Sequence, residues 1–181
     1  MKKFKLTSEF IVDISGVKLF RIKALIEFGN VKAGDLGGYI EKEENLSHMG
    51  DAWVSGDARV SGDAWVFGDA WVFGDAQVFG DAWVFGNARV SGNARVFGDA
   101  QVSGDARVSG DKDYAYAHGF GSCNRTTTFF RLKDGDVGVR CGCFYGTLAQ
   151  FRDKVCETHG ETKKAQEYLM LADLMEIRFK N

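Results

Sequence analysis

The stretch Gly50-Asp51-Ala52-Trp53-Val54-Ser55 is the first of ten consecutive copies of one six-residue pattern, Gly-Asp/Asn-Ala-x-Val-x. The last copy occupies residues 104–109, and no residue is inserted or lost between copies. A short, unbroken period indicates a repeat architecture, in which each copy forms one structural unit that stacks on its neighbours. The fold of the central region can therefore be argued from a single copy.

Each copy predicts a short strand followed by a corner. Ala58 and Val60 are two residues apart, so on a strand they share one face, and Arg59 between them faces the other way. The Gly-Asp pair turns the chain, because glycine adopts a positive φ freely and Asp or Asn tolerates it. Three strands and three corners close a triangle, which predicts coils of eighteen residues with alanine and valine inside.

The repeat resembles a known family. An aliphatic residue followed four positions later by a small one, as in Val54 and Ala58, is similar to the pattern of the hexapeptide-repeat proteins with a left-handed parallel β-helix. The resemblance implies an all-β solenoid, a triangular left-handed parallel β-helix. The left hand is implied by the resemblance alone, since the general rule for parallel crossovers is right-handed.

Segments on both sides of the repeat predict covers for the two open ends of the solenoid, which would otherwise expose unpaired strand edges. Residues 1–49 are predicted to form an N-terminal β-hairpin cap, residues 50–111 the β-helix, and residues 112–181 a small α+β unit of type ββαα that acts as a cap or in assembly. The hairpin is expected at residues 10–14 and 17–22.

Within the C-terminal unit, the aromatic and glycine-rich residues 114–123 are interpreted as a connector. A second hairpin is predicted at 126–132 and 137–143, around an Asp-Gly turn. Thr147 and Gln150 form a capping-box pattern that should start a helix ending at Gly160. A last helix is predicted from Glu161 to about Arg178.

Three segments outside the repeat, residues 34–41, 44–48 and 140–147, are similar to those of a group of bacteriophage and gut-bacterial proteins. Members of that group are described as hexapeptide-repeat or polymer-forming proteins. The resemblance implies a solenoid architecture and a phage or prophage setting. It implies little about chemistry.

The eighteen-residue period predicts which outward side chains stack. One column should contain Trp53, Trp71, Arg89 and Arg107, a second Arg59, Gln77 and Arg95, and a third Trp65, Trp83 and Gln101. Aromatic ladders of this kind stiffen a coil, and an exposed one also marks an interface. The predicted binding residues on these outer faces are Trp53, Trp65, Phe67, Trp71, Trp83, Phe85, Arg89, Arg95 and Arg107.

Charge and composition exclude several classes of function. The repeat carries nine Asp and four Arg, a net charge of −5, which makes it a poor platform for nucleic acid. No apolar run is long enough for a membrane span, and the first residues lack the apolar core of a secretory signal. Four cysteines without a disulfide-framework spacing suggest reduced thiols and a cytoplasmic location.

Catalytic groups are sparse. Hexapeptide acyltransferases use a histidine as general base, by family resemblance, but the three histidines here, His48, His118 and His159, all lie outside the regular coils. We therefore expect no catalytic residues and no cofactor. An acyltransferase is the alternative function.

One set of residues could bind a metal. Cys141, Cys143, Cys156 and His159 would make a tetrahedral zinc site if a helix packed on the second hairpin. The spacing of one residue between the first two cysteines is shorter than usual for zinc, and buried thiols with a histidine at a helix end explain the same residues. We expect no metal here.

These features predict a non-enzymatic binding protein that acts as an oligomeric solenoid scaffold. Its first expected partner is itself, as a homotrimer, because related solenoids often trimerise through their flat faces. In the phage setting that the resemblance implies, the further partners are a host defence factor that the protein inhibits or a small signalling nucleotide that it sequesters. Neither a membrane nor nucleic acid is an expected partner.

Overall fold

The N-terminal segment of the chain forms a hairpin that continues into the solenoid. The computed structural model describes residues 1–122 and 124–180. Strands β1 (Phe4–Val12) and β2 (Lys18–Ala24) pair antiparallel, and β3 (Leu36–Ile40) pairs antiparallel with β2. The predicted hairpin is thus confirmed, although β1 begins earlier, at Phe4, and ends at Val12. The hairpin and β3 belong to the same sheet as one face of the solenoid.

Each of the ten repeat copies forms a two-residue strand from its x-Val pair. These strands are β4 (Trp53–Val54), β5 (Arg59–Val60), β6 (Trp65–Val66), β7 (Trp71–Val72), β8 (Gln77–Val78), β9 (Trp83–Val84), β10 (Arg89–Val90), β11 (Arg95–Val96), β12 (Gln101–Val102) and β13 (Arg107–Val108). They form three parallel ladders, ordered β4-β7-β10-β13, β3-β5-β8-β11 and β6-β9-β12.

The register of the ladders confirms the eighteen-residue coil. Trp71 pairs with Trp53 on one side and with Arg89 on the other. Every alanine and valine of the ten copies is at most 1% exposed, so these residues fill the inside of the coil as predicted. The chain is therefore a parallel β-solenoid. Its left hand stays a prediction from the resemblance.

The corners explain why the pattern requires glycine. Gly74 has φ of +72°, in the left-handed region that side chains disfavour. A Cβ on Gly74 would also lie 3.1 Å from the backbone nitrogen of Gly92 in the next coil. The amide of Asp75 donates to the carbonyl of Gly92 at 2.9 Å, so the corners as well as the strands are joined by hydrogen bonds.

Two buried polar side chains cover the open N-terminal end of the solenoid. The Lys3 ammonium, in a residue 1% exposed, donates to the carbonyls of Gly50 at 3.1 Å and Ala52 at 2.7 Å. The Asn45 amide, fully buried, donates to the carbonyls of Gly62 at 3.0 Å and Ala64 at 2.8 Å. These corner carbonyls of the first coil have no coil below them, so Lys3 and Asn45 replace the missing donors.

Burial of Lys3 predicts a pH dependence of stability. Burial lowers the pKa of Lys3 to about 8, against its ordinary 10.5, with Asp51 and Asp69 opposing the shift. Between these values the unfolded chain holds a proton that the folded chain has released, so stability rises with pH. Relative to Lys3→Met, the free energy of unfolding of the wild type should rise by about 2 kcal/mol between about pH 7.5 and 9.5. Urea denaturation of both proteins across this pH range measures the effect. A difference in free energy of unfolding between the wild type and Lys3→Met that does not change with pH would contradict it.

The C-terminal unit contains more strands than predicted. Strands β14 (Tyr114–Phe120), β15 (Arg125–Arg131), β16 (Val137–Cys141) and β17 (Phe144–Thr147) form one antiparallel sheet in that order. The connector prediction for residues 114–123 is wrong for Tyr114–Phe120, because this segment pairs with β15 and buries Tyr114. The predicted ββαα unit therefore has two further strands. Cys123 lies outside the described residues.

The two predicted helices are confirmed as α1 (Leu148–His159) and α2 (Lys163–Phe179). Thr147 and Gln150 form the expected capping box, and Gly160 follows the last turn of α1. The predicted stripes, Leu148, Phe151 and Val155 on α1 and Ala165, Tyr168, Ala172 and Met175 on α2, are buried and pack together. In the described parts of the chain, no helix is long and apolar enough to cross a membrane.

The sheet of the C-terminal unit contacts the last coil of the solenoid. The amide of Gln101 donates to Oγ1 of Thr128 at 3.0 Å, and Ala106 forms an antiparallel bridge with Leu132. These contacts supply partners for the edge of the last coil, as the N-terminal segment does for the first. The proposed role of this unit in assembly stays a prediction.

Candidate functional site

The first outer column is Trp53, Trp71, Arg89 and Arg107, in the predicted register. The prediction that Trp53 offers its indole to a partner is wrong, because it is only 3% exposed. The Phe28 ring packs edge-on against it at 5.3 Å. A Cβ on Gly37 would lie 2.7 Å from Cζ2 of the indole, which shows how closely the backbone before the repeat covers this ring.

The rest of the first column is bonded within the chain. The predicted cation–π pair is present, with Cζ of Arg89 5.3 Å from the centroid of the Trp71 ring. The Arg89 guanidinium also donates to the carbonyl of Asp69 at 2.8 Å, and that of Arg107 to the carbonyl of Asn87 at 3.0 Å. Burial and the nearby charge of Arg107 lower the pKa of Arg89, against the opposing effect of Asp69. This face uses its cations to hold successive coils together.

The third column forms an aromatic patch, which we define as Trp65, Phe67, Trp83 and Phe85. The two phenylalanine rings stack at 4.8 Å with an angle of 4° between their planes, and the two indoles meet edge-on at 5.8 Å. Trp65 also stacks on Phe67 at 4.1 Å. The indoles are 37% and 41% exposed. These contacts order the four rings while the indoles stay accessible to a partner.

Charged side chains border the aromatic patch at both ends. At the C-terminal end, Cζ of Arg140 lies 5.4 Å from the centroid of the Phe85 ring, and its Nε donates to Gln101 at 3.3 Å. At the N-terminal end, Trp65 adjoins a shallow cavity next to Lys2 and Glu43, which form an ion pair at 2.7 Å. An apolar centre with a charged border is the usual composition of a protein interface.

The second column contains Arg59, Gln77 and Arg95, and it continues onto the N-terminal segment through Tyr39 and Arg21. Arg95, one of the predicted binding residues, is exposed. Beside this column Phe79 and Phe97 stack at 5.3 Å, a second aromatic ladder absent from the predicted set. The eighteen-residue period could have revealed it, since the two phenylalanines are one coil apart.

Comparison with known proteins supports the repeat assignment. Three stretches match the YdcK beta solenoid repeat family. The matched residues are 52–68, 88–100 and 100–111, all within or next to the repeat copies. Among curated proteins, the comparison found no match. The chain is thus similar to the YdcK repeat through its coils, and the match says nothing of the caps.

The histidines flanking the YdcK-like coils have partners of their own. Nδ1 of His48 lies 3.2 Å from the amide of Lys3, and Nε2 lies 2.7 Å from Oε1 of Glu43. Its ring also stacks on Phe4 at 4.4 Å. Both ring nitrogens of His48 therefore hold the N-terminal cap together. His118 lies on an exposed strand with Nδ1 2.8 Å from Oγ1 of Thr126.

Three of the four candidate zinc ligands, Cys141, Cys143 and His159, line one small cavity of about 210 Å³, and Cys156 does not line it. Cys143 and Cys156 are exposed, whereas the half-buried Cys141 thiol accepts from Oγ1 of Thr127 at 3.2 Å. The ring of His159 stacks on Tyr168 at 5.7 Å, and burial raises the pKa of that tyrosine. Over residues 1–122 and 124–180, no group of three or more His, Cys, Asp or Glu could hold a metal ion.

Proposed function

We propose that the chain is a non-enzymatic binding scaffold that associates with further copies of itself through the aromatic patch. The observation that carries the proposal is the pair of exposed indoles of Trp65 and Trp83, held in mutual contact on a flat face. Exposed apolar patches of this kind mark interaction sites, and tryptophan contributes strongly at their centres.

A second copy of the chain is the favoured partner of the aromatic patch, because the patch is the outer face least covered by contacts within the chain. On the first face, Trp53 is covered and the arginines are bonded to backbone carbonyls. On the second face the outward strand positions are polar, at Arg59, Gln77 and Arg95, although Phe79 and Phe97 stack beside them. A trimer is the assembly that the resemblance to other hexapeptide solenoids implies, and most soluble homo-oligomers have closed symmetry of this kind.

The test is the mass of the protein in solution. The wild type should scatter light as a trimer, three times the 20.0 kDa chain, whereas Trp65→Ser combined with Trp83→Ser should shift it to a monomer because the centre of the interface is lost. Phe73→Ser, which removes an aromatic ring 36% exposed next to the first column, is the matched control and should stay trimeric. A monomeric wild type at micromolar concentration would refute the proposal.

The phage setting implied by the resemblance makes a host protein the proposed partner of the assembled scaffold, in the cytoplasm of the infected cell. Both ring nitrogens of His48 are engaged in the cap, which favours this binding role over an acyltransferase. Host proteins can be captured from a lysate with the wild type and with the Trp65→Ser, Trp83→Ser variant. A host protein that binds only the wild type needs the assembled scaffold, and one that binds both does not.

A further inference from the structure

A groove of about 520 Å³ lies between the tip of the β1–β2 hairpin and the second face of the solenoid. The hairpin contributes Asp13, Ile14 and Ser15, and the solenoid contributes Arg59, Gln77, Phe79 and Arg95. Its volume falls within the range of small-molecule sites, roughly 300 to 1,000 Å³. The hairpin tip closes one side, so the groove is narrower than a surface that would take a nucleic-acid duplex.

The solenoid wall of the groove presents unused hydrogen-bond donors. In the part of the chain that the structure describes, the side chains of Arg59, Gln77 and Arg95 have no hydrogen bond and no ion pair. The arginines of the first face, Arg89 and Arg107, occupy the same position of the repeat but donate to backbone carbonyls. The corresponding side chains of the second face line the groove instead.

The carboxylates of the groove already have donors. Oδ1 of Asp13 accepts from the amides of Ser15 at 2.8 Å and Val17 at 2.9 Å, within the hairpin turn. Oε2 of Glu41 accepts from the amide of Gly62 at 2.6 Å. These acids are therefore held by backbone, and they do not neutralise the two guanidinium groups by direct pairing.

The spacing of the donors indicates the shape of a ligand. Arg59 and Arg95 are two coils apart, which places their backbones roughly 10 Å from one another, with Gln77 between them. Guanidinium groups bind phosphate in a bidentate manner. Next to them Phe79, stacked on Phe97 with an angle of 9° between the rings, offers a flat apolar surface.

We propose that this groove binds an organic anion of nucleotide size that carries two separated phosphate groups. Arg59 and Arg95 each contact one phosphate, Gln77 donates to the atoms between them, and Phe79 contacts the base. The net charge of −5 on the repeat disfavours a long nucleic acid. A small ligand can contact Arg59 and Arg95 directly, because the nearby Asp13 and Glu41 carboxylates accept from backbone amides rather than from the guanidinium groups. The site is complete within one copy of the chain and does not rest on self-association.

Titration calorimetry with cyclic di-AMP, ATP and inorganic triphosphate tests the proposal. Cyclic di-AMP should bind, and Arg59→Gln combined with Arg95→Gln should weaken it by at least about tenfold, because two charge-assisted contacts are lost. Inorganic triphosphate should bind more weakly than either nucleotide, since it has no base for Phe79. Arg107→Gln, the same change at the same repeat position on the first face, should bind cyclic di-AMP like the wild type.

Two results would overturn the proposal: no heat from cyclic di-AMP up to about 1 mM, or an equal loss of binding in the Arg107→Gln control. Thermal denaturation of each variant checks folding, and the single change Arg95→Gln, at an exposed side chain, provides a milder test. Light scattering on the same samples separates nucleotide binding from self-association. A monomer that binds the nucleotide would refute the proposed trimer but not the proposed nucleotide site.

Discussion

Val78→Asp should lower the free energy of unfolding by at least about 4 kcal/mol, enough to unfold much of the solenoid. Val78 is fully buried in the column of inward side chains, between Val60 of the previous coil and Val96 of the next. A carboxylate there would lose its hydration without gaining a partner. Because each coil is paired only with its neighbours, a break at this level also removes the support of the coils on both sides.

The matched control is Gln77→Asp, which introduces the same side chain one residue earlier. Gln77 points outward beside two arginines, so this variant should remain within about 0.5 kcal/mol of the wild type. Urea denaturation followed by tryptophan fluorescence and circular dichroism measures both variants. Similar stabilities for the two would show that the inward and outward positions are not those described above.

Asn45→Asp should cost about 3 kcal/mol, although the two side chains have nearly the same shape. The buried amide of Asn45 donates to the carbonyls of Gly62 and Ala64 and accepts from the amide of Lys42 at 2.9 Å. A carboxylate keeps the accepting atom but places a buried charge against two carbonyl oxygens, each of which loses its donor, at about 1–3 kcal/mol per group.

The same chemical change at Asn93 serves as its control. Asn93 is exposed and occupies a corner position where most copies of the repeat have Asp, so Asn93→Asp should change stability by less than about 0.5 kcal/mol. Thermal melts at matched pH compare the two variants. A melting temperature for Asn45→Asp equal to that of Asn93→Asp would mean that Asn45 does not hold the end of the solenoid.

The solenoid could be predicted because its information is local and repeated. The pair Ala58 and Val60 defines the inner face, Gly62 two residues later defines the corner, and ten copies remove any ambiguity of register. The contact between Trp71 and Arg89 follows from the same counting. The helices were also predictable, since Thr147 and Gly160 mark the ends of α1 by standard capping chemistry.

The caps could not be derived in the same way, because they depend on contacts between residues far apart in the sequence. Nothing near Lys3 in the sequence shows that its ammonium meets the carbonyl of Ala52. The burial of Trp53 follows from Phe28 and Gly37, which belong to an irregular segment. The glycine and small residues of Tyr114–Phe120 weaken the strand pattern and predict a connector, whereas the pairing of this segment with β15 decides its structure.

The candidate sites could likewise be predicted only where they depend on the repeat period, and not where they depend on contacts between distant segments. The stacking of Trp65 with Trp83 follows from the period, and the structure shows it together with the exposure of both rings. The groove at Arg59 and Arg95 does not follow, because its other wall is the hairpin tip around Ile14. A period places residues along the coil, but it says nothing about which segment folds over them.

The most direct test of the account is a nuclear Overhauser experiment on labelled protein, which measures the distances between strands. The three-sided coil predicts contacts between residues eighteen apart on all three faces. They include the amide proton of Trp71 with the α proton of Arg89, and the amide proton of Trp53 with the α proton of Trp71. Contacts between strands at a separation other than eighteen residues would contradict the three-sided coil.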